Sequence, residues 1–190
     1  FLIQDKMLCD TAKPNAAHLK LHRGSSRKSL KGKVITQNID NLHQMAGSKN
    51  VLELHGSVYR NYCMKCGKSY DFRYMKAAKG VPKCTCGGII KPDVVLYEEG
   101  LDDYTIQESV RAISEAQVLI IGGTSLAVYP AAGLIDYFRG DHLVVINKAP
   151  TPRISMRIFL LKSRSEWYSA GYMCRILHCT GSRDICQDES

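Results

Sequence analysis

Apolar residues fall along the chain in short clusters whose period changes, and the changes predict alternating strands and helices. Val34-Ile35 passes at once into the polar run Thr36-Gln37-Asn38-Ile39-Asp40. Val51-Leu52-Glu53-Leu54 alternates with period two and delivers His55 and Gly56. Val118-Leu119-Ile120-Ile121 and Leu143-Val144-Val145-Ile146 are unbroken apolar runs of strand length, as expected of strands covered on both faces. Between them Pro130 opens, and Gly140 closes, a predicted helix containing Ala131, Ala132, Leu134, Ile135, Tyr137 and Phe138. Strand, helix and strand make a βαβ unit, with a right-handed crossover expected. Leu101 to Glu115 predicts an amphipathic helix, with Ile106, Val110 and Ile113 at helical spacing and Asp102-Asp103 in its first turn. Residues 1–22 predict another, capped at Asp10 or Thr11 with Pro14 in its first turn. Val94 to Tyr97 reads as an extended run closed by Glu98-Glu99-Gly100. Arg23 to Lys33 has one apolar residue and no helical period, the pattern of a basic surface loop.

Composition narrows this picture. A chain of 190 residues suits one domain with a small insertion. No apolar run approaches a membrane span and no signal or transit peptide is visible, so a cytoplasmic location and no membrane partner are expected. The chain starts at Phe1, which reads as a fragment or a processed product. The net charge of +8 is unevenly placed: 12 Lys+Arg face 12 Asp+Glu between Val34 and Pro150, against 8 to 2 in residues 1–33 and 6 to 4 in residues 151–190. The surplus lies outside the region with recognisable chemistry, so it does not point to nucleic acid.

Of eight cysteines, four are grouped as Cys63-x-x-Cys66 and Cys84-x-Cys86, 17 residues apart. Two knuckles brought together by a hairpin supply four thiolates, a set that fills tetrahedral zinc and leaves no open position for catalysis. The shortened second pair is the one irregularity. An apolar strand ending in amides and a carboxylate (Gln37, Asn38, Asp40) is how an open α/β sheet presents ligand-binding groups at its carboxyl edge. His55, at the end of a second strand, is the side chain suited to moving protons near neutral pH. Taken singly, His55 is more often a hydrogen-bonded structural histidine than a base, Asp40 can be a helix cap, His43 is structural, and Gly122-Gly123-Thr124-Ser125 is as readily a tight turn. In its strand-to-helix context that turn is also a candidate for holding phosphate or ribose, and Asn147 ends the next strand.

In combination these motifs, in this order, resemble the sirtuins, the NAD-dependent protein lysine deacylases, especially the bacterial branch. The resemblance covers roughly residues 1–152. It implies a Rossmann-type parallel α/β sheet with a small zinc-binding module, residues 58–92, inserted in the catalytic domain. His55 matches the general base and Asn38 the active-site amide near the ribose. Ile39 and Asp40 match the nicotinamide pocket, and Gln37 a further cofactor contact. Gly123, Thr124 and Ser125 match the phosphate and ribose contacts, and Asn147 with Lys148 the adenosine side. Val94, Val95, Leu96, Tyr97 and Glu98 match the segment on which an acylated peptide adds as a strand. Cys63, Cys66, Cys84 and Cys86 match the structural zinc ligands. NAD, zinc and acylated lysine peptides are thus the implied cofactors and partner.

Three departures qualify this. The family's first βα unit, whose glycine turn holds the pyrophosphate, has no counterpart in the chain. The sheet should therefore lack a strand, with an exposed edge, weak NAD binding and little activity. After Pro152 the tail, residues 153–190, leaves the family pattern, as do residues 23–33. Codons exist for Arg157 to Tyr168 that, read from the third base, give Asp-Leu-Leu-Ile-Lys-Glu-Pro-Val-Gly-Met-Val, which fits the family. We read both stretches as frameshifted, a hypothesis that genomic reads matching the printed frame throughout would sink. The competing function class is a non-catalytic zinc-ribbon binding module, or an inactive fragment.

Overall fold

The computed structural model describes residues 11–25, 32–124, 126–147, 158–160 and 175–179. Helix α1 (Ala16–Ser25) starts later than expected and runs into the stretch read as a basic loop. Then follow β1 (Lys33–Thr36), α2 (Leu42–Met45), β2 (Val51–Glu53), β3 (Gly56–Cys63), β4 (Ser69–Tyr70), α3 (Phe72–Ala77) and β5 (Ile90–Val94). The chain continues through α4 (Asp103–Ser114), β6 (Val118–Gly122), a 3₁₀ helix (Ala131–Tyr137), β7 (His142–Ile146), β8 (Ile158–Leu160) and β9 (Arg175–Cys179).

Two sheets result, a six-stranded one in the order β2-β1-β9-β6-β7-β8 and a three-stranded one in the order β4-β3-β5. In the larger sheet β1 is parallel to β2, and β6, β7 and β8 run parallel in succession. Its core forms where strand alternation meets a helix face. Leu119 and Ile121 of β6, Ile35 of β1 and Ile113 of α4 are fully buried and pack with Leu54, Leu126, Leu134 and Val145. Burying each such side chain contributes about 2 kcal/mol, ample to hold α4 on the sheet. Asp102 caps α4 by accepting the Thr105 N–H at 2.8 Å, so the helix starts at Asp103 and only the second residue of the acidic pair lies in its first turn.

Two expectations change. The segment after Pro130 forms a 3₁₀ rather than an α-helix, with i→i+3 bonds from Gly133 N–H to the Pro130 carbonyl and from Phe138 N–H to the Ile135 carbonyl. The expected gap in the sheet is not an exposed edge. Arg175–Cys179 lies between β1 and β6 and pairs antiparallel with both. Backbone polar groups on two facing strand edges have no substitute for a ladder partner, and β9 provides one. The predicted cap at Asp10, much of the predicted loop 23–33 and most of the tail lie outside the described residues.

Candidate functional site

Thr36 at the end of β1 and Gly122 at the end of β6 both lie in register with Arg175. The two strand ends are therefore level, two strand spacings or about 9.5 Å apart. Sequence order reverses here, with β2 beyond β1 on one side and β7 beyond β6 on the other. An open α/β sheet has its ligand crevice at such a point. The antiparallel β9 brings its first residue, not a strand-to-helix turn, to this edge. Among the described residues no second glycine turn accompanies Gly122-Gly123-Thr124.

On the β1 side, the backbone folds the polar residues into a compact loop. The Leu54 N–H donates to the Thr36 carbonyl at 2.9 Å, and the Asn38 N–H to Thr36 Oγ1 at 3.0 Å. Asn38 is buried, and its amide reaches Asp40 Oδ2 at 3.4 Å. Asp40 Oδ1 accepts the Leu42 N–H at 3.0 Å, yet the N-cap of α2 is Asn41, so Asp40 stands one residue before the cap and its carboxylate also faces Asn38. The Ile39 carbonyl accepts the Val58 N–H. His55 is half-buried, with Nδ1 3.0 Å from the Gln37 carbonyl. A carbonyl can only accept, so Nδ1 carries a proton, and of the two neutral tautomers the contact selects the one with the lone pair on Nε2. His55 with Gln37, and Asn38 with Asp40, thus form two hydrogen-bonded pairs, joined through the Gln37–Asn38 peptide bond. His43 is fully buried with its ring 4.9 Å from that of His18, as a structural residue should be.

On the β6 side, the Gly123 N–H donates to the Ile146 carbonyl at 3.0 Å, and the Asn147 amide to the Thr124 carbonyl at 2.7 Å. Thr124 is buried and its Oγ1 accepts the Leu126 N–H. Gly123, Thr124 and Asn147 therefore meet as expected. Ser125 and Lys148 lie outside the described residues.

The expected peptide-binding segment is shorter than its sequence suggests. Val94 pairs with Gly56, and the Val95 N–H donates to the His55 carbonyl at 3.1 Å. Beyond that the Leu96 N–H is taken by Glu99 Oε2 at 2.9 Å, Glu98 has φ +69°, and the chain turns. Tyr97 is left 99% exposed, so it is available for contact yet is not part of a strand. Gly56 sits so close to β5 that a Cβ there would lie 1.9 Å from the Asp93 carbonyl oxygen.

A charged clasp that the motifs did not reveal joins the two sheets. Arg60 Nε donates to Asp93 Oδ2 at 2.8 Å and Nη1 to Glu53 Oε2 at 2.6 Å. Glu53 also accepts the Gln44 amide at 2.8 Å. Partners 33 residues apart carry no spacing signal.

The sulfurs of Cys63, Cys66, Cys84 and Cys86 all lie within 4.8 Å of one another. Zinc at about 2.3 Å from four sulfurs sets them about 3.8 Å apart, a spacing that lies between the 3.5 Å of the nearest sulfur pairs and the 4.8 Å limit of the group. A Cβ on Gly88 would lie 2.7 Å from Cys63 Sγ, so the chain passes close enough to the cluster that only glycine fits. Electrostatics argue the same way. The Cys86 amide and then the Tyr70 hydroxyl pull the Cys84 thiol down to about 5. Cys86 gains from the Gly88 amide, but the neighbouring sulfurs of Cys84, Cys66 and Cys63 push it up to about 12. Four thiols this close cannot all ionise unless a cation sits among them.

Known proteins are similar to this chain in sequence and fold. The family model described as the Sir2 family matches residues 1–130. An NAD-dependent protein deacetylase of Clostridium acetobutylicum is 63% identical over 150 residues, covering 78% of this chain and 61% of that protein. One of Staphylococcus aureus strain N315 is 47% identical over 151 residues, covering 77% and 60%. A solved structure described as "Sir2-p53 peptide-NAD+" matches with a TM-score of 0.66 at 39% identity, over 75% of this chain and 61% of that one. Another, "Structure of Sir2Tm bound to a propionylated peptide", has a TM-score of 0.67 at 40% identity, over 75% and 62%. The chain spans about three fifths of the length of the curated relatives it matches.

Proposed function

The chain belongs to the Sir2 family, and from that premise we propose that it acts in the NAD-dependent removal of acyl groups from protein lysines. The observation that carries this reading is the His55 ring held by the Gln37 carbonyl with Nε2 left basic. NAD, when bound, supplies an anomeric carbon made reactive by its nicotinamide leaving group. His55 Nε2 would take a proton from a ribose hydroxyl, a role that needs the neutral tautomer its hydrogen bond selects. Asn38 and Asp40 would orient the nicotinamide side, Asp40 through its carboxylate and Asn38 through its amide. Gly123, Thr124 and Asn147 would hold the phosphate and adenosine side from the other lip of the crevice. Val94 and Val95 offer an edge for the acylated peptide, since β5 pairs with β3 alone among the described strands. Cys63, Cys66, Cys84 and Cys86 would hold zinc as a structural element, four thiolates leaving it no open position for catalysis. Free thiols in close array suit the reducing cytoplasm, where we place the protein.

One observation favours the second reading, a zinc module without turnover. The antiparallel β9 occupies the slot from which a parallel strand would deliver a phosphate-binding turn. Mass spectrometry of an acetyl-lysine peptide, with and without NAD, separates the two. Acetyl loss that needs NAD and falls at least about a hundredfold in His55→Ala supports the enzyme. Full zinc content with neither acetyl loss nor an NAD-induced rise in melting temperature overturns it.

A further inference from the structure

The two cysteine knuckles differ by one residue in length, and the difference leaves their sulfurs unequally supplied by the backbone. In the longer knuckle the N–H groups of Lys65 and Cys66 both bond Cys63 Sγ, that of Lys65 at 3.4 Å. In the shorter one Cys84 Sγ receives the Cys86 N–H at 3.5 Å. A much shorter bond comes from outside the knuckle, from the Tyr70 hydroxyl at 2.9 Å, against 3.9 Å between the sulfur and the Thr85 hydroxyl inside it. The Thr85 N–H approaches Tyr70 Oη at 3.4 Å, occupying an oxygen lone pair and leaving the hydroxyl proton turned to the sulfur. The ring cannot drift. It packs against the cluster of Cys63, Met75, Cys84 and Ile90 and lies 4.6 Å from the Tyr74 ring. The Tyr74 hydroxyl in turn donates to the Lys83 carbonyl at 2.7 Å, pinning the chain just before Cys84.

We propose that Tyr70 is a positioning residue of the metal centre, its hydroxyl supplying Cys84 with the donor that the shortened knuckle lacks. This rests on the four cysteines holding zinc. A tetrathiolate zinc site carries net negative charge, and a donor on a sulfur spreads that charge and steadies the bound thiolate. Without it, Cys84 Sγ keeps the Cys86 N–H as its backbone donor, where Cys63 Sγ has two. Sequence spacing shows only the missing residue; the replacement comes from β4, across the module.

The test uses the full chain loaded with zinc, then with cobalt, as wild type, Tyr70→Phe and Tyr74→Phe. Zinc transfer to the chromogenic chelator 4-(2-pyridylazo)resorcinol should be about tenfold faster in Tyr70→Phe. In the cobalt form, Tyr70→Phe should shift the thiolate-to-cobalt charge-transfer band, a change that loss of packing would not cause. Tyr74→Phe removes a neighbouring hydroxyl that touches no sulfur and should leave the band in place. Unchanged zinc loss and band position in Tyr70→Phe overturn the proposal, as does an equal band shift in Tyr74→Phe. A wild-type chain that takes up neither metal overturns the zinc reading itself, a failure distinct from the other two.

Discussion

Replacing Gly56 by alanine tests whether the turn carrying His55 is set by backbone contact with β5. Gly56 has φ +72°, a conformation that costs an L residue about 1 kcal/mol. Strain of that kind alone is a modest penalty. The added Cβ would also stand 1.9 Å from the Asp93 carbonyl oxygen and 2.9 Å from its carbon, both backbone atoms that cannot swing aside. Either the turn or β5 must move, and the nearest casualty is the 3.1 Å bond from Val95 N–H to the His55 carbonyl, worth about 1 kcal/mol. Adding about 1 kcal/mol for the displaced strand gives a loss of about 3 kcal/mol. Gly80→Ala is the internal control, because Gly80 has φ +82° but nothing within 4 Å of the place its new methyl group would take. It should lose about 1 kcal/mol from conformation alone. Urea unfolding of both zinc-loaded variants, followed by circular dichroism, measures the difference. Equal losses in the two would refute the close-contact argument and leave only the backbone angle.

Other outcomes follow from the same structure. Ile113→Ala, in a side chain with 0% exposure between α4 and β6, should lower stability by about 3 kcal/mol in urea unfolding; a loss below about 1 kcal/mol would mean the core collapses around the gap. The Lys91 ammonium, and then the Leu96 amide, hold the Glu99 carboxyl below its ordinary 4.5. A depressed carboxylate stabilises fully above its unfolded pKa and loses that contribution as pH falls through the folded value. Wild type should therefore exceed Glu99→Gln in urea midpoint at pH 6, with the gap starting to narrow near pH 4.5 and closing only below the lowered folded value. Metal loss is common to both chains, so a constant gap down to pH 3 would contradict the assignment.

Much of the larger sheet was legible because its strands are written locally. Val118 to Ile121 and Leu143 to Ile146 are too apolar to be anything but covered strands, and they pair in parallel register from Val118–His142 to Gly122–Ile146. The polar end of β1 and His55 were legible as strand-end chemistry, and four close cysteines as a metal site. What stayed hidden was long-range or conformational. No local pattern assigns Arg175–Cys179 to the centre of the sheet, since that pairing is decided by two ladder edges far upstream in the chain. The segment from Ala131 to Tyr137 has helical periodicity but adopts the tighter 3₁₀ winding, which apolar spacing alone does not distinguish over so few turns. The extended look of Leu96 and Tyr97 gave way to a turn because the Glu99 carboxylate claims the Leu96 N–H. Tyr70 carries no motif; its importance lies in one hydroxyl and one sulfur.

The clasp at Arg60 limits how this chain can drift. Its two bonds leave from different nitrogens, Nε to Asp93 in the small sheet and Nη1 to Glu53 in the large one. Lysine offers a single nitrogen and cannot reproduce both at that geometry. Of the two bonds only the one to Glu53 crosses between the sheets, and a lysine that held Asp93 instead would leave Glu53, whose side chain is 8% exposed, with the Gln44 amide. Exchanges at Asp93, which is 45% exposed, leave solvent to take over the lost bond. Accumulating substitutions should thus be tolerated on the zinc side of the joint sooner than at Arg60 or Glu53.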